Sequence, residues 1–238
     1  MIILVILGFV ASPLYDINFT PLPIRSTSVF SNPAGLGIET GAEAFLTYHP
    51  ESKTITSGAS AGNFGFGMIR MDTDTVETVE IYEIGLGYRL PGAFSVGYAY
   101  QFGDTSSHVL GIQCRPTQKW ALGYTVTLGD KKYMYGGVAV KPYEDYLVLN
   151  FEVEYEGIDS IFTYYYGARV QPYKGIGISF LADEEFDWNV GVDVSLGYVK
   201  IAGLYSSKDE KFSGGLVISA QKYQTFFHQR RLLNSIPR

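Results

Sequence analysis

The stretch 92–102, GAFSVGYAYQF, alternates between two kinds of side chain without a break. Its odd positions are small or polar, among them Ser95 and Gln101, and its even positions are Phe94, Val96, Tyr98, Tyr100 and Phe102. Successive side chains of a β-strand point to opposite faces. A row of rings needs apolar surroundings, whereas serine and glutamine fit an enclosed and partly wet space. The pattern predicts a strand that separates lipid from the lumen of a barrel.

Similar alternation recurs in about fourteen segments between residues 44 and 220, most of them about 8–11 residues long, the length of a tilted membrane strand. In one segment Trp120, Leu122 and Tyr124 oppose Lys119 and Gly123. Charged residues fall on the face that lacks large apolar side chains, which is typical of membrane barrels. We therefore predict an all-β fold, a transmembrane antiparallel β-barrel of about 14 strands. Short turns are predicted at Pro91, Pro142 and Pro172.

The composition agrees with a membrane barrel and excludes other classes. Only 18% of the 238 residues are charged, against about 25% in soluble domains. No run of about 20 apolar residues follows the N-terminus, so a helical membrane protein is excluded. The net charge of −6 gives no support for nucleic-acid binding, and the single cysteine, Cys114, excludes an intrachain disulfide. We expect no cofactor.

Residues 1–12 resemble a secretory signal peptide, with the apolar run MIILVILGFV followed by small residues. No Lys or Arg precedes the run, and Pro13 makes cleavage after Ser12 awkward, so a core strand is the alternative. Export predicts a location in the outer membrane of a Gram-negative-type bacterium.

The segment 13–42 lacks strand periodicity, and its four prolines exclude a central strand. It either plugs the lumen or hangs in the periplasm. Apolar residues such as Phe19, Leu22 and Leu36 need burial and favour the plug. The barrel is predicted over residues 43–223. Residues 224–238 form a basic tail or linker, which would suit a further domain downstream.

The turn Asn32-Pro33-Ala34-Gly35-Leu36-Gly37, placed before Gly- and Tyr-rich strands, resembles the long-chain fatty acid transporter superfamily of outer-membrane proteins. The small barrels similar to the type IX secretion shuttle protein belong to the same superfamily. The resemblance implies a fourteen-stranded barrel and assigns Asn32, Pro33, Ala34 and Gly35 to its plug. The chain is much shorter than the fatty acid transporters and lacks room for their long external loops.

The inward face of the predicted barrel carries charged and polar residues of mixed sign. They line a solute path, or they pair with one another and with the plug. The candidates are Glu83, Arg89, Gln101, Lys119, Glu152, Arg169, Asp193 and Lys200.

No chemical site emerges from the sequence. His49, His108 and His228 lack metal-ligand spacing, and the adjacent Ser107 and His108 would point to opposite faces of a strand. We expect no catalysis, with an integral-membrane hydrolase as a remote third class.

The leading functional hypothesis is passage or capture of small hydrophobic molecules. The alternative is a non-catalytic module that anchors or assembles a partner, or a downstream periplasmic domain, at the outer membrane. The face assignment predicts that Leu122→Arg costs about 2–4 kcal/mol at the bilayer midplane, and that Gly123→Ser on the lumen side costs much less.

Overall fold

A computed structural model describes residues 11–23, 25–39, 41–72, 78–129, 132–143, 146–157, 161–208 and 210–221. Most of the signal-peptide candidate and all of the tail, residues 224–238, lie outside these residues. Fourteen strands form a closed antiparallel barrel in which each strand pairs with its sequence neighbours and β14 pairs with β1. The prediction of a fourteen-stranded barrel is confirmed. The strands are β1 (Gly41–His49), β2 (Thr54–Gly62), β3 (Phe64–Asp72), β4 (Thr78–Arg89), β5 (Phe94–Gly103), β6 (Ser107–Thr117), β7 (Trp120–Gly129), β8 (Lys132–Tyr143), β9 (Leu147–Glu156), β10 (Ile161–Tyr173), β11 (Ile176–Asp183), β12 (Trp188–Leu196), β13 (Val199–Ser206) and β14 (Lys211–Ser219).

The segment before β1 lies inside the barrel, as the plug interpretation predicts. It contains the 3₁₀ turns Tyr15–Asn18, Arg25–Thr27 and Pro33–Gly37 and one short helix, α1 (Ser28–Ser31). Nearly every described residue of this plug is buried, although many are small or polar. β1 begins at Gly41, two residues before the predicted start of the barrel.

Side chains sort across the wall as the alternation predicts. In β5 the odd residues Ser95 and Ala99 are buried inside, whereas Phe94, Tyr98 and Phe102 are exposed outside. The same parity holds in β1, where Glu43, Phe45, Thr47 and His49 are buried. The alternation therefore indicates which residues of each strand face the lumen and contact the plug.

The outer surface is an apolar band edged by aromatic rings. Ile84, Leu110 and Ile112 are exposed near the middle of their strands. Exposed rings lie toward both strand ends: Phe64, Tyr88, Phe94, Trp120, Tyr143, Tyr173 and Tyr198 at one end, and Tyr48, Phe102, Phe162, Trp188 and Phe212 at the other. Aromatic girdles flanking an apolar band are typical of a barrel that crosses a bilayer.

The two rims differ slightly. We call the rim where β1 begins and β14 ends the proximal rim, and the opposite one the distal rim. The proximal connections have one to four residues, and the distal connections have two to five. No helix within the described ranges is long and apolar enough to span a membrane.

Pro142 and Pro172 are not in turns, contrary to the sequence-based prediction. They lie within β8 and β10, where the pairing register shifts between Val140 and Tyr143 and between Val170 and Tyr173. Pro116 lies at a similar shift in β6. Proline cannot donate to a strand ladder, so a local irregularity accommodates it near the proximal rim.

Candidate functional site

Asn32 joins two parts of the plug to the barrel wall. Its side chain is 0% exposed, and its Nδ2 donates to the carbonyls of Thr20 (3.0 Å) and of Ile112 in β6 (3.1 Å). Its Oδ1 accepts the backbone N–H of Ala34 at 3.1 Å, which caps the following 3₁₀ turn. One buried amide therefore fixes the Asn-Pro-Ala-Gly turn against the wall.

Inward-facing glycines let the plug backbone touch the wall. A Cβ atom at Gly97 would lie 2.2 Å from the carbonyl carbon of Pro33, and one at Gly123 would lie 2.4 Å from the backbone of Thr20 and Pro21. A Cβ at Gly111 would lie 2.1 Å from Asn32 Oδ1. Any side chain at these positions would collide with the plug, so the glycines match its shape.

Polar wall residues bind the carbonyl groups of the plug. Gln113 Nε2 donates to the carbonyls of Thr20 (2.7 Å) and Pro23 (3.2 Å), and Arg115 Nη2 donates to that of Leu22 (3.0 Å). In the opposite sense, Glu152 Oε2 accepts the backbone N–H of Thr20 at 2.5 Å. The plug contains only short helical turns, and these side chains satisfy backbone groups that a longer helix would have paired internally.

Arg25 fastens the plug at the junction of β1 and β14. Its buried guanidinium binds Glu39 at 3.1 Å and lies 3.6 Å from Glu43 of β1. It also donates to Ser219 Oγ of β14 at 3.2 Å. The backbone of Arg25 has φ 55, an unusual value for a residue other than glycine, and these contacts hold it there.

A second polar group binds the start of the plug. Lys200 Nζ lies 3.6 Å from Asp16 Oδ2, and Asn150 Nδ2 donates to the Tyr15 hydroxyl. Burial is the largest cause of a Tyr15 pKa above its ordinary value, so Tyr15 remains a neutral hydroxyl in this contact.

The predicted lumen residues divide into three groups. Glu83, Glu152, Asp193 and Lys200 are buried on the inward face. Arg169, also inward, forms a bidentate ion pair with Asp193, from Nη2 to Oδ1 at 2.8 Å and from Nε to Oδ2 at 3.1 Å. Gln101 is half-buried. Arg89 and Lys119 are exposed at the proximal rim.

Lys119 corrects a strand boundary. It lies in the turn 118–119, and β7 begins one residue later, at Trp120. A turn lysine carries no face information, so the alternation could not assign it to the lumen.

The sequence analysis missed several residues that hold the plug. Gln113 and Asn150 lie on the small-residue side of well-sorted strands, so their parity was a usable signal. Arg25 gave none, because it lies in a segment without periodicity.

The distal half of the lumen has an open, polar side on β7 to β11. We call it the distal recess. Glu154 accepts hydrogen bonds from the hydroxyls of Tyr165 (2.7 Å) and Tyr135 (3.0 Å), and Tyr133 donates to Glu156 (3.3 Å). Its half-buried members are Thr127, Tyr133, Tyr135, Glu154, Glu156, Thr163 and Asp183. Half exposure on the inward face means that solvent reaches these groups from within the barrel.

The histidines and the acidic loop show no chemical constellation. His49 points inward on β1, His108 points outward on β6, and His228 lies outside the described residues. Within the described part of the chain, no three His, Cys, Asp or Glu side chains are placed to hold a metal ion. Asp183 Oδ1 accepts the backbone N–H groups of Glu185 and Asp187, a turn-forming role. The absence of catalysis stays a prediction.

No family model matches the chain, and no curated protein matches it in sequence. Among solved structures it is similar to the outer membrane protein Omp33 of Acinetobacter baumannii, with 11% identity, a TM-score of 0.51, and 79% of this chain and 100% of that chain covered. A mutant of the Rh. blastica porin gives 10% identity, 75% and 98% coverage, and a TM-score of 0.48. The KdgM porin in complex with disordered oligogalacturonate gives 11% identity, 76% and 99% coverage, and 0.42.

The likeness to Omp33 supports the barrel fold. The closed sheet leaves no strand edge for lipid to meet, and the outside is apolar with aromatic borders. Fold and surface together define an outer-membrane β-barrel protein whose lumen contains a plug.

The plug contacts change one prediction made from the sequence. Gly123→Ser was expected to be mild, but any Cβ at this position meets plug backbone at 2.4 Å. We now expect even Gly123→Ala to lower the free energy of unfolding by about 1–3 kcal/mol, the usual cost of overpacking. Urea titrations of the protein folded in lipid vesicles will measure it.

The matched control is Gly214→Ala in β14, where an added Cβ has no heavy atom within 4 Å. Its free energy of unfolding should stay within about 0.5 kcal/mol of the native value. Equal losses for the two variants would mean that the plug does not press on the wall at Gly123.

Proposed function

We propose that this chain is an outer-membrane channel, narrowed by its N-terminal plug, that admits small molecules from the distal rim. The observation that carries the proposal is the distal recess, where inward-facing side chains remain half-exposed on five neighbouring strands. Around the plug the inward side chains are mostly buried. A solute entering from the distal rim would therefore reach the recess first and meet the plug below it.

The orientation follows from the connections. Bacterial barrels have short periplasmic turns and longer external loops. The proximal rim has the shorter connections and both ends of the strand order, β1 and β14. We therefore assign the proximal rim to the periplasm and the distal recess to the cell exterior.

The solute class is the finer part of the proposal. Passage of hydrophobic molecules, with membership of the long-chain fatty acid transporter superfamily, rests on the Asn32–Gly35 turn and its plug. The aliphatic residues Val79, Ile81 and Val109 face inward in the distal half but are buried. Hydrophobic solutes would need this aliphatic side of the lumen to become accessible, whereas polar solutes would use the recess as it stands.

An anchoring module is the second candidate, and the fit of the plug favours it. Backbone-to-backbone approaches at Gly97 and Gly123, together with the Arg25 ion pairs, make the plug part of the folded core. A barrel with so tight a plug suits a membrane platform for a periplasmic or secretion partner.

Liposome swelling separates the two candidates. Liposomes containing the native protein should swell in isotonic solutions of small sugars or amino acids, and uptake of a labelled fatty acid should rise if hydrophobic solutes pass. Liposomes containing the Gly214→Ala variant are the positive control and should swell like those with the native protein. Protein-free liposomes give the background rate. Native protein that is impermeant to every solute would overturn the channel and leave the anchoring module.

A further inference from the structure

Glu83 stands apart from the other buried carboxylates of the lumen. It faces inward on β4 and is 0% exposed. Its Oε2 accepts one hydrogen bond, from Gln101 Nε2 at 3.1 Å, and its Oε1 has no hydrogen-bond partner. Among the residues that the structure describes, no lysine, arginine or histidine lies within ion-pair distance of it.

Three of the other four buried carboxylates have a positively charged partner. Glu39 and Glu43 bind Arg25, and Asp193 binds Arg169. Glu152 accepts the backbone N–H of Thr20. An enclosed carboxylate without a counter-charge is strongly unfavourable. Glu83 therefore lacks the positive partner that Glu39, Glu43 and Asp193 have, and unlike Glu152 it accepts no backbone N–H of the plug.

The surroundings of Glu83 supply further oxygen ligands. Gln101, directly opposite Glu83 in the register of β4 and β5, accepts the Ser107 hydroxyl through its Oε1. The oxygen and nitrogen of a glutamine amide are distinguished only by their hydrogen bonds. Turning this amide over would place its oxygen where its nitrogen now lies, beside Glu83 Oε2, so that the two oxygens would face one cation, and Ser107 Oγ would then accept from the amide nitrogen.

We propose that Glu83, with the Gln101 side chain, binds a monovalent cation such as sodium, potassium or ammonium. One carboxylate balances one charge, whereas a calcium site uses six to eight oxygens, commonly from several carboxylates. The oxygen donors also disfavour the softer metals that histidine and cysteine bind. This inference does not depend on whether the barrel passes a solute.

The site borders the plug. Gly67 of β3 pairs with Glu83, and a Cβ at Gly67 would overlap the tip of the Phe30 ring, 2.2 Å from its Cζ. Phe30 also packs edge-on against Phe45, with ring centroids 5.9 Å apart. Phe30 and Gln101 are half-buried, so this corner adjoins the accessible part of the lumen. A bound cation would neutralise the wall where Phe30 rests and hold that side of the plug in place.

Cation-dependent stability tests the site. The full chain is folded in detergent or lipid, and its unfolding temperature is read from heat-dependent gel mobility at fixed pH and ionic strength. Replacing choline by the preferred alkali or ammonium ion at about 100 times its Kd should raise the midpoint by about 5–10 °C. Glu83→Gln should abolish this rise and unfold at a higher temperature than the native protein in choline.

Two further variants keep the test sharp. Glu80→Gln, on the outward face of the same strand, should keep the full response to the cation. Gln101→Leu, which leaves the carboxylate but removes the amide oxygen, should weaken it. A native midpoint that does not depend on the identity of the cation would overturn the proposal. A dependence on pH alone would assign a proton to Glu83, and equal responses in native protein and Glu83→Gln would place the cation elsewhere.

Discussion

Removing residues 13–37 should leave a folded barrel whose single-channel conductance is several times that of the native protein. The plug lies in the lumen and packs against strands all around the barrel. It comes close to Gly215 of β14, Gly97 of β5, Gly123 of β7 and Gly167 of β10. In the deletion variant, water fills the lumen and hydrates the inward polar groups that the plug binds in the native protein, so the strands keep their pairing. Planar-bilayer recordings of the refolded protein measure the conductance, and heat-dependent gel mobility reports whether the barrel has formed.

The control for this deletion is the full-length Gly214→Ala variant, refolded in the same way, which should conduct like the native protein. A folded deletion variant with native conductance would mean that the described plug does not limit the path. Loss of the folded form would instead make the plug essential for assembly, which would favour the anchoring module.

Ile112→Arg should destabilise the folded protein in lipid by about 2–4 kcal/mol, the cost of an arginine facing lipid at the bilayer midplane. Ile112 is the central residue of β6, its side chain points outward, and 47% of it is exposed. It is a better probe than Leu122, which lies nearer the proximal end of β7. Urea titrations in vesicles give the free energy of unfolding.

Leu128→Arg is the matched control, because Leu128 also faces outward but lies one residue from the distal end of β7. At this depth the cost should fall to about 0–1 kcal/mol. Equal costs at the two positions would contradict a membrane band centred on the middle of the strands.

The barrel was predictable because alternation acts in every strand. A strand in which Tyr98 lies between Gly97 and Ala99 can place its ring in lipid and its small residues in the lumen in one orientation only. β5 adopts that orientation. Repetition of this choice over successive strands gave the strand number and the inward placement of Glu83, Glu152 and Asp193.

The plug contacts were less predictable, since nothing in a strand tells what fills the space it faces. Gly123 reads as a small lumen residue, and only the position of Thr20 shows that it must be glycine. Turns were predicted at Pro142 and Pro172 because proline usually ends strands. Local register shifts instead accommodate both prolines inside β8 and β10.

The central claim is that side chains alternate between lipid and an enclosed lumen, and spin labels along β5 test it most directly. In a Cys114→Ser background, single cysteines at residues 94 to 102 carry the spin label. The collision rates of each label with oxygen and with a water-soluble paramagnetic relaxation agent are measured in vesicles. The structure predicts high oxygen collision at residues 94, 96, 98, 100 and 102 and low values at the odd positions between them. Equal oxygen collision rates at neighbouring positions, or a high collision rate of the label at residue 98 with the water-soluble paramagnetic agent, would contradict a strand with one face in lipid and the other in the lumen.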